Sequence, residues 1–337
     1  MLASDKQFDK NNTLDDFLEQ IINLYNDEKF KKVIFCSNKY LEKNPPSHKL
    51  YNILGITYNK LNNSKLAFDS YSKAINIEPN FAVSYFNLGL LFHEQNSFEY
   101  AIENYKKAIS LNPNYIDAIF NLANVLKENG QDKKAINVYR SLLQKDYNHI
   151  KTHYNLGVIF KEINILSSSI YHFNEVLKIK SIYLDTFLNL GTLYQKIKNF
   201  EKAIYYYSQD CKTNENNYIA YYLMGNAYIE IGDLQTAYQK FQKALQINPK
   251  FFNAFKYLGY IKQKEEDHNL AIQFYKKFLK INPACSETYN NIGFSFEEKK
   301  EFVKALTYYK NSLKYDPSNY LAYHNMGNVL QKLGELD

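Results

Sequence analysis

Apolar and small residues recur along the chain at helical spacing, in short segments separated by polar stretches. In one such segment, Tyr85, Leu88, Gly89 and Phe92 follow the spacing i, i+3, i+4, i+7. This spacing places the four residues on one face of an α-helix. The pattern therefore predicts an amphipathic helix. We call it the first helix, because a second one follows it and forms a pair with it.

A second apolar face follows shortly afterwards. Ala101, Tyr105, Ala108 and Ile109 are again spaced for one side of a helix. The polar segment 94–100 between the two patterns is too short for anything but a tight turn. The two helices are therefore predicted to pack as antiparallel neighbours.

The same paired pattern returns every 34 residues. We number each repeat from 1 to 34 so that the recurring glycine is position 8 and the first full repeat begins at residue 48. Position 8 is glycine in Gly55, Gly89, Gly157, Gly191, Gly225, Gly259, Gly293 and Gly327. Position 24 is aromatic in Tyr71, Tyr105, Tyr139, Phe173, Tyr207, Phe241, Tyr275 and Tyr309. Because one helix pair cannot bury its own apolar face and stacked pairs can, this period predicts a solenoid.

A unit of this length, with small residues at positions 8, 20 and 27 and proline at position 32, resembles the tetratricopeptide repeat. The resemblance implies an all-α, superhelical solenoid of antiparallel helix pairs. We expect a flexible segment at 1–13, a degenerate first repeat at 14–47, eight repeats at 48–319 and a truncated half repeat at 320–337.

Charge and composition narrow the classes of partner. Lysine and arginine exceed acidic residues by a formal charge of +6, but the charges are interspersed, so nucleic acid is not expected as a partner. No apolar run approaches the ~18 residues of a membrane span, so no membrane insertion is expected. Cys36, Cys211 and Cys285 lie far apart and are odd in number, which favours a reducing compartment. We expect a cytoplasmic location, with nuclear and ciliary ones left open.

Residue patterns typical of enzymes are missing from the sequence. It contains neither a glycine-rich phosphate loop nor cysteine pairs at zinc spacing. His149 and His153 have the i, i+4 spacing of two metal ligands, but packing or surface roles are favoured because no HExxH motif accompanies them. We therefore expect no catalytic residue, no metal site and no cofactor.

The repeats between 116 and 217 depart most from the pattern in their second helices. Asp210 occupies position 27, where a small residue normally packs. Local sequence drift with a loosened joint explains this charge. A kink or hinge near 208–217 is the sharper alternative.

A second face of the first helix is the predicted binding surface. At 100° per residue, position 6 points away from positions 4, 7, 8 and 11. Asparagine fills it in six repeats, which we call the asparagine ladder: Asn87, Asn121, Asn155, Asn189, Asn291 and Asn325. Position 5 beside it is aromatic in Phe86, Phe120 and Tyr154. Asparagine both donates and accepts hydrogen bonds and can therefore pair with a peptide backbone, while the aromatic rings would contact peptide side chains. The six asparagines and three aromatic residues are thus predicted to bind extended peptides. Duplication of one ancestral unit would produce the same ladder without binding.

The Asn-Leu-Gly pattern, as in Asn87-Leu88-Gly89, is similar to the repeats of O-linked N-acetylglucosamine transferases. That resemblance implies a groove that holds substrate polypeptide. The favoured interpretation is a non-catalytic scaffold with protein or peptide partners. The alternative is the substrate-recruiting arm of a larger O-glycosyltransferase whose catalytic domain is absent from this chain. A clamp for chaperone tails is not favoured, because no arginine occurs at position 6.

Overall fold

The computed structural model describes residues 13–334, and within them it contains nineteen α-helices and no strand. The all-α solenoid expected from the sequence is thus confirmed. The expected flexible segment at 1–13 lies, apart from Thr13, outside the described residues, as does the end of the half repeat after residue 334.

The helices alternate between first and second members of each pair. The first helices are α1 (Leu14–Asn26), α3 (His48–Lys60), α5 (Ala82–Glu94), α7 (Ile116–Glu128), α9 (Ile150–Glu162), α11 (Thr186–Lys196), α13 (Tyr218–Glu230), α15 (Asn253–Lys264), α17 (Ser286–Glu298) and α19 (Tyr320–Leu333). The second helices are α2 (Phe30–Leu41), α4 (Ser64–Ile77), α6 (Phe98–Leu111), α8 (Asp132–Lys145), α10 (Leu166–Ile179), α12 (Phe200–Thr213), α14 (Leu234–Ile247), α16 (His268–Leu279) and α18 (Phe302–Tyr315).

The turn inside each pair has one fixed conformation. The residue at position 15 has a positive φ in every pair: Glu28, Asn62, Asn96, Gly130, Asn164, Lys198, Gly232, Glu266 and Lys300. A left-handed residue directly after a helix ends it and reverses the chain. The second helix therefore begins at the same place in each repeat.

The buried positions of the first helix differ from the expected ones. Positions 7 and 8 are buried as predicted, for example Leu88 and Gly89. Positions 4 and 11 vary between repeats: Tyr85 and Phe92 are only half-buried, whereas these positions are buried in Ile119, His153, Leu126, Phe160, Tyr194 and Phe296. From residue 48 onward, position 3 is fully buried in each repeat: Leu50, Ser84, Ala118, Thr152, Thr186, Ala220, Ala254, Thr288 and Ala322. Position 10 is buried in the same repeats: Thr57, Leu91, Val125, Ile159, Leu193, Ala227, Ile261, Ser295 and Val329.

The burial of positions 3 and 10 was not predicted from the sequence, because many of the residues at these positions are small or polar. At 100° per residue, the true core direction is rotated by roughly 60° from the expected one. The rotation changes which residues the opposite face contains.

The recurring glycine is explained by the aromatic ring at position 24 of the same repeat. A Cβ built on Gly89 would lie 2.7 Å from ring atoms of Tyr105, and one on Gly191 would lie 2.4 Å from the ring of Tyr207. Real Cβ atoms do not approach this closely, so the first helix needs glycine to pack flat against the ring.

The helices group into two compact units, one up to Ile163 and one from Asn164. Within each unit, first helices of adjacent repeats contact each other, for example α3 with α5 and α15 with α17, and second helices do so less. The first helices therefore line the narrower side of each unit. We call the face formed by their positions 5, 6, 9 and 12 the inner surface.

Asp210 lies in the continuous helix α12, so the helix itself is not broken there. The side chain is buried, and its Oδ2 accepts a hydrogen bond of 2.6 Å from Nδ2 of Asn217. Burial raises the pKa of this carboxyl. Local drift stays the favoured interpretation, and the alternative of a hinge near 208–217 stays a prediction.

Candidate functional site

The asparagine ladder lies on the flank of the first helix. Given the rotated core direction, positions 5, 9 and 12 point most directly away from the core and position 6 points sideways toward the preceding repeat. Asn87 is only 8% exposed. The expectation that position 6 faces away from the packing is therefore wrong for Asn87, because the neighbouring first helix covers it.

In the first junction of the ladder, Asn87 ties two repeats together. Its Nδ2 donates to Oδ1 of Asn52 at 3.0 Å, and Oγ of Ser84 donates to the same oxygen at 3.2 Å. Asn52 is position 5 of the preceding repeat and is itself buried. Hydrogen-bonded pairs of this kind satisfy polar groups that the stacking of first helices removes from water.

Asn155 makes an equivalent junction two repeats later. Its Nδ2 lies 2.9 Å from Oδ1 of Asn124 and 2.9 Å from the hydroxyl of Tyr139. Tyr139 donates its own proton to Asn124 Oδ1, and burial raises the pKa of this phenol. The amide nitrogen of Asn155 is thus occupied within the solenoid.

Two ladder residues bond to their own helix instead. Nδ2 of Asn121 donates to the backbone carbonyl of Asp117 at 2.9 Å, and Nδ2 of Asn189 donates to that of Asp185 at 3.0 Å. Both side chains are half-buried. These two asparagines do not bridge repeats through the bonds just described.

The second unit repeats the bridging arrangement. Asn325 donates from Nδ2 to Oδ1 of Asn290 at 3.1 Å. Asn291 hydrogen-bonds to the hydroxyl of Tyr275, the position-24 ring of the preceding repeat. Four of the six ladder residues, in both units, thus tie adjacent repeats together: Asn87, Asn155, Asn291 and Asn325.

The aromatic residues at position 5 form the apolar part of the inner surface in the first unit. The ring of Phe86 lies 4.9 Å from that of Tyr115, and the ring of Phe120 lies 5.2 Å from that of His149. Burial lowers the pKa of His149 and raises that of Tyr115 to about 12. Phe86, Phe120 and Tyr154 are all half-buried, so each presents part of its ring to solvent.

A polar row at positions 12 and 13, which the sequence did not suggest, links the same repeats. Asn59 donates to Glu94 at 2.8 Å, and Nε2 of His93 lies 2.8 Å from Glu128. A third link joins Lys127 and Glu162 at 3.5 Å. Each link pairs position 12 with position 13 of the next repeat. These links are hard to predict from the sequence, because the residue types at positions 12 and 13 change from one repeat to the next.

His149 and His153 both have hydrogen-bond partners within the protein. Nδ1 of His149 lies 2.7 Å from Oγ1 of Thr152, and Nε2 of His153 lies 2.9 Å from the carbonyl oxygen of Tyr147. Within residues 13–334, no three His, Cys, Asp or Glu side chains are grouped so that they could hold a metal ion. None of the described helices is both long enough and apolar enough to span a membrane.

Several solved structures resemble this chain. A tetratricopeptide repeat protein from Parabacteroides merdae is 18% identical with a TM-score of 0.50, over 74% of this chain and 98% of that one, which supports the fold alone. MamA is 26% identical with a TM-score of 0.47, over 50% of this chain and 92% of its own. YrrB, described as a TPR protein with an unusual peptide-binding site, is 20% identical with a TM-score of 0.42, over 66% and 98%. No curated protein sequence matches the chain.

Family models of the tetratricopeptide repeat match most of the chain. Matches described as "Tetratricopeptide repeat" cover 48–81, 117–147, 184–217, 218–251, 258–285, 286–319 and 308–337. A further match, described as "TPR repeat", covers 90–130. The similarity to the repeats of O-linked N-acetylglucosamine transferases in particular stays a prediction. Together with the paired helices and their 34-residue period, these matches establish that the chain belongs to the tetratricopeptide repeat proteins.

Proposed function

We propose that this protein is a non-catalytic scaffold that binds extended segments of partner proteins on its inner surface. The observation that carries the proposal is the state of the ladder oxygens at Asn121 and Asn155. No described residue donates a hydrogen bond to Oδ1 of either side chain. Two half-exposed acceptors thus stand one repeat apart on adjacent first helices.

Asn121 and Asn155 therefore differ from the two-way donors and acceptors expected from the sequence. Their N–H groups bond within the solenoid, so their oxygens remain for a ligand. An extended peptide carries unpaired backbone N–H groups, which match such a row of acceptors without regard to side-chain sequence. The half-buried rings of Phe86, Phe120 and Tyr154 beside the row supply apolar contact for alternate side chains of the ligand.

The experiment first selects peptides that bind the whole chain from a random peptide library, and then measures their affinities by fluorescence anisotropy. Asn121→Ala removes one acceptor. Since one hydrogen bond contributes about 0.5–1.5 kcal/mol, we expect binding to weaken roughly two- to tenfold.

A matched control is available on a second helix. Asn104 is half-buried and donates to the carbonyl of Tyr100 at 2.8 Å, the same local bond that Asn121 makes to Asp117. Asn104→Ala should leave peptide binding unchanged while it costs the helix the same local bond. Equal affinities for the Asn121→Ala variant and the unaltered protein would reject the role of the ladder. Failure to select any peptide would reject the proposal as a whole.

A further inference from the structure

The second helices α14, α16 and α18 carry charge of one sign only. Their spans contain seven lysines and no aspartate or glutamate. In the first unit, α4, α6 and α8 mix both signs, as Glu99 and Glu103 do with lysines in α6, whereas α2 also contains only lysines. A run of three successive second helices without acidic residues is therefore not required by the fold.

Most of these lysines lie at positions 25 to 29, near the C-terminal ends of the helices, where the helix dipole favours positive charge. With the residue that follows α16, they form what we call the basic outer surface. Its members are all exposed: Lys243, Lys276, Lys277, Lys280, Lys310 and Lys314.

The basic outer surface is not neutralised by the chain itself. None of its six lysines forms an ion pair with a carboxylate of residues 13–334. Two carboxylates of the same repeats are paired with other lysines: Glu287 with Lys256 at 2.6 Å and Glu297 with Lys332 at 2.8 Å. The positive charge is thus available to a partner.

Aromatic rings lie beneath the ammonium groups of two of these lysines. Nζ of Lys276 lies 5.9 Å from the ring centroids of both Phe296 and Tyr308, and Nζ of Lys277 lies 5.1 Å from that of Phe255. A cation over the face of an aromatic ring within about 6 Å of its centroid is attracted by the ring. Phe296 is only 7% exposed, so its ring offers no platform for stacking nucleic-acid bases.

The width of the surface selects the kind of anion. A row of carboxylates borders it at position 16, where Asp233, Asp267 and Glu301 precede the three helices. The six lysines lie at positions 25 to 29, a strip only about 6 Å wide along the helix axes at 1.5 Å per residue. Glu301 is paired with Lys299 and Lys304, but Asp233 and Asp267 form no ion pair with the described residues. A membrane or a nucleic-acid duplex would also meet these two carboxylates, whereas an extended polypeptide fits inside the strip.

We propose that the basic outer surface of α14, α16 and α18 binds an extended acidic segment of a partner protein. The segment crosses the three helices, which lie roughly 10 Å apart. Because an extended chain rises about 3.3 Å per residue, one carboxylate in every three residues meets each repeat in turn. This surface is separate from the inner surface and does not depend on peptide binding there.

The test uses the whole chain and a fluorescein-labelled peptide of twelve glutamates, with a peptide of twelve glutamines as the neutral reference. We expect the glutamate peptide to bind at low ionic strength and to be released by salt. The double variant Lys276→Glu/Lys310→Glu should weaken its binding at least tenfold. If charge reversal disturbs folding, the milder variant Lys276→Gln/Lys310→Gln replaces it and should also weaken binding of the glutamate peptide.

The matched control changes the same repeat position in the first unit. Lys106 and Arg140 also occupy position 25 of consecutive repeats and are exposed. Lys106→Glu/Arg140→Glu should change the affinity less than twofold. Equal losses in both double variants would overturn the proposal. So would binding of phosphatidylserine vesicles or single-stranded oligothymidine without binding of the glutamate peptide.

Discussion

Replacing the position-8 glycine by alanine should lower the stability of one repeat, at Gly191, and raise that of another, at Gly327. A Cβ at Gly191 would lie 2.4 Å and 2.5 Å from two ring carbons of Tyr207. At Gly327, in α19, a Cβ would have no described atom within 4 Å. Gly191→Ala therefore tests the packing of position 8 against position 24, and Gly327→Ala tests the intrinsic helix preference at the same position.

The magnitudes follow from the two environments. Alanine in a helix interior is better than glycine by about 1 kcal/mol, so Gly327→Ala should stabilise α19 by up to that amount. At residue 191, overpacking a filled core costs about 1–3 kcal/mol. Displacing the Tyr207 ring also breaks its 2.7 Å bond to Gln195, worth about 1 kcal/mol. After the gain in helix preference, Gly191→Ala should lower the free energy of unfolding by about 1–3 kcal/mol.

One natural repeat shows how a methyl group can be accommodated. Ala123 occupies position 8 and is fully buried. In that repeat the hydroxyl of Tyr139 bonds to Asn124 at position 9, whereas Tyr207 bonds to position 12. Adding Thr192→Asn to Gly191→Ala copies this arrangement. We expect the double variant to recover part of the lost stability.

The assay is hydrogen exchange measured by mass spectrometry on peptides from α11, α12 and α19, since a repeat array need not unfold in one step. Urea unfolding gives the global change. Protection of α11 and α12 should fall in Gly191→Ala, and protection of α19 should rise in Gly327→Ala. Unchanged protection in Gly191→Ala would refute the steric explanation of the recurring glycine, and so would equal effects of the two substitutions.

Two further predictions concern pH. Burial lowers the pKa of His149 below 6.5, so the folded chain resists protonation and loses stability as the pH falls below that value. His149→Asn, which places a favourable N-cap residue before α9, should reduce the fall in Tm between pH 7.5 and 5.5. An equal fall in both proteins would contradict this. Burial raises the pKa of Asp210, so the protonated carboxyl contributes stability that is lost as the pH rises through the pKa of the folded state. Asp210→Asn, which still accepts a bond from Asn217, should raise Tm at pH 7 but not at pH 3. A lower Tm at pH 7 would count against the reasoning.

The period, the helix pairs and the aromatic core were predictable because they depend on local rules. A glycine at position 8 and a ring at position 24, such as Gly89 and Tyr105, recur in phase, and their contact needs no knowledge of other repeats. The buried positions 3 and 10 were missed because residues such as Ser84 and Thr57 bury without being apolar. Their burial comes from neighbouring helices, which a single amphipathic pattern does not reveal.

The direction of position 6 was mispredicted at Asn87 for the same reason, and the error changes how the ladder residues should be tested. An amide carries its donor and its acceptor on one side chain, so the stacking of repeats can use the first while a ligand uses the second. Asn155→Ala should then weaken both, because its Nδ2 bonds to Asn124 and Tyr139 hold two repeats together. Asn121 bonds only to its own helix, so its loss separates binding from folding. If the proposed binding is right, Asn155 serves both the contact between repeats and the ligand, and Asn121 is the residue at which the two roles can be distinguished.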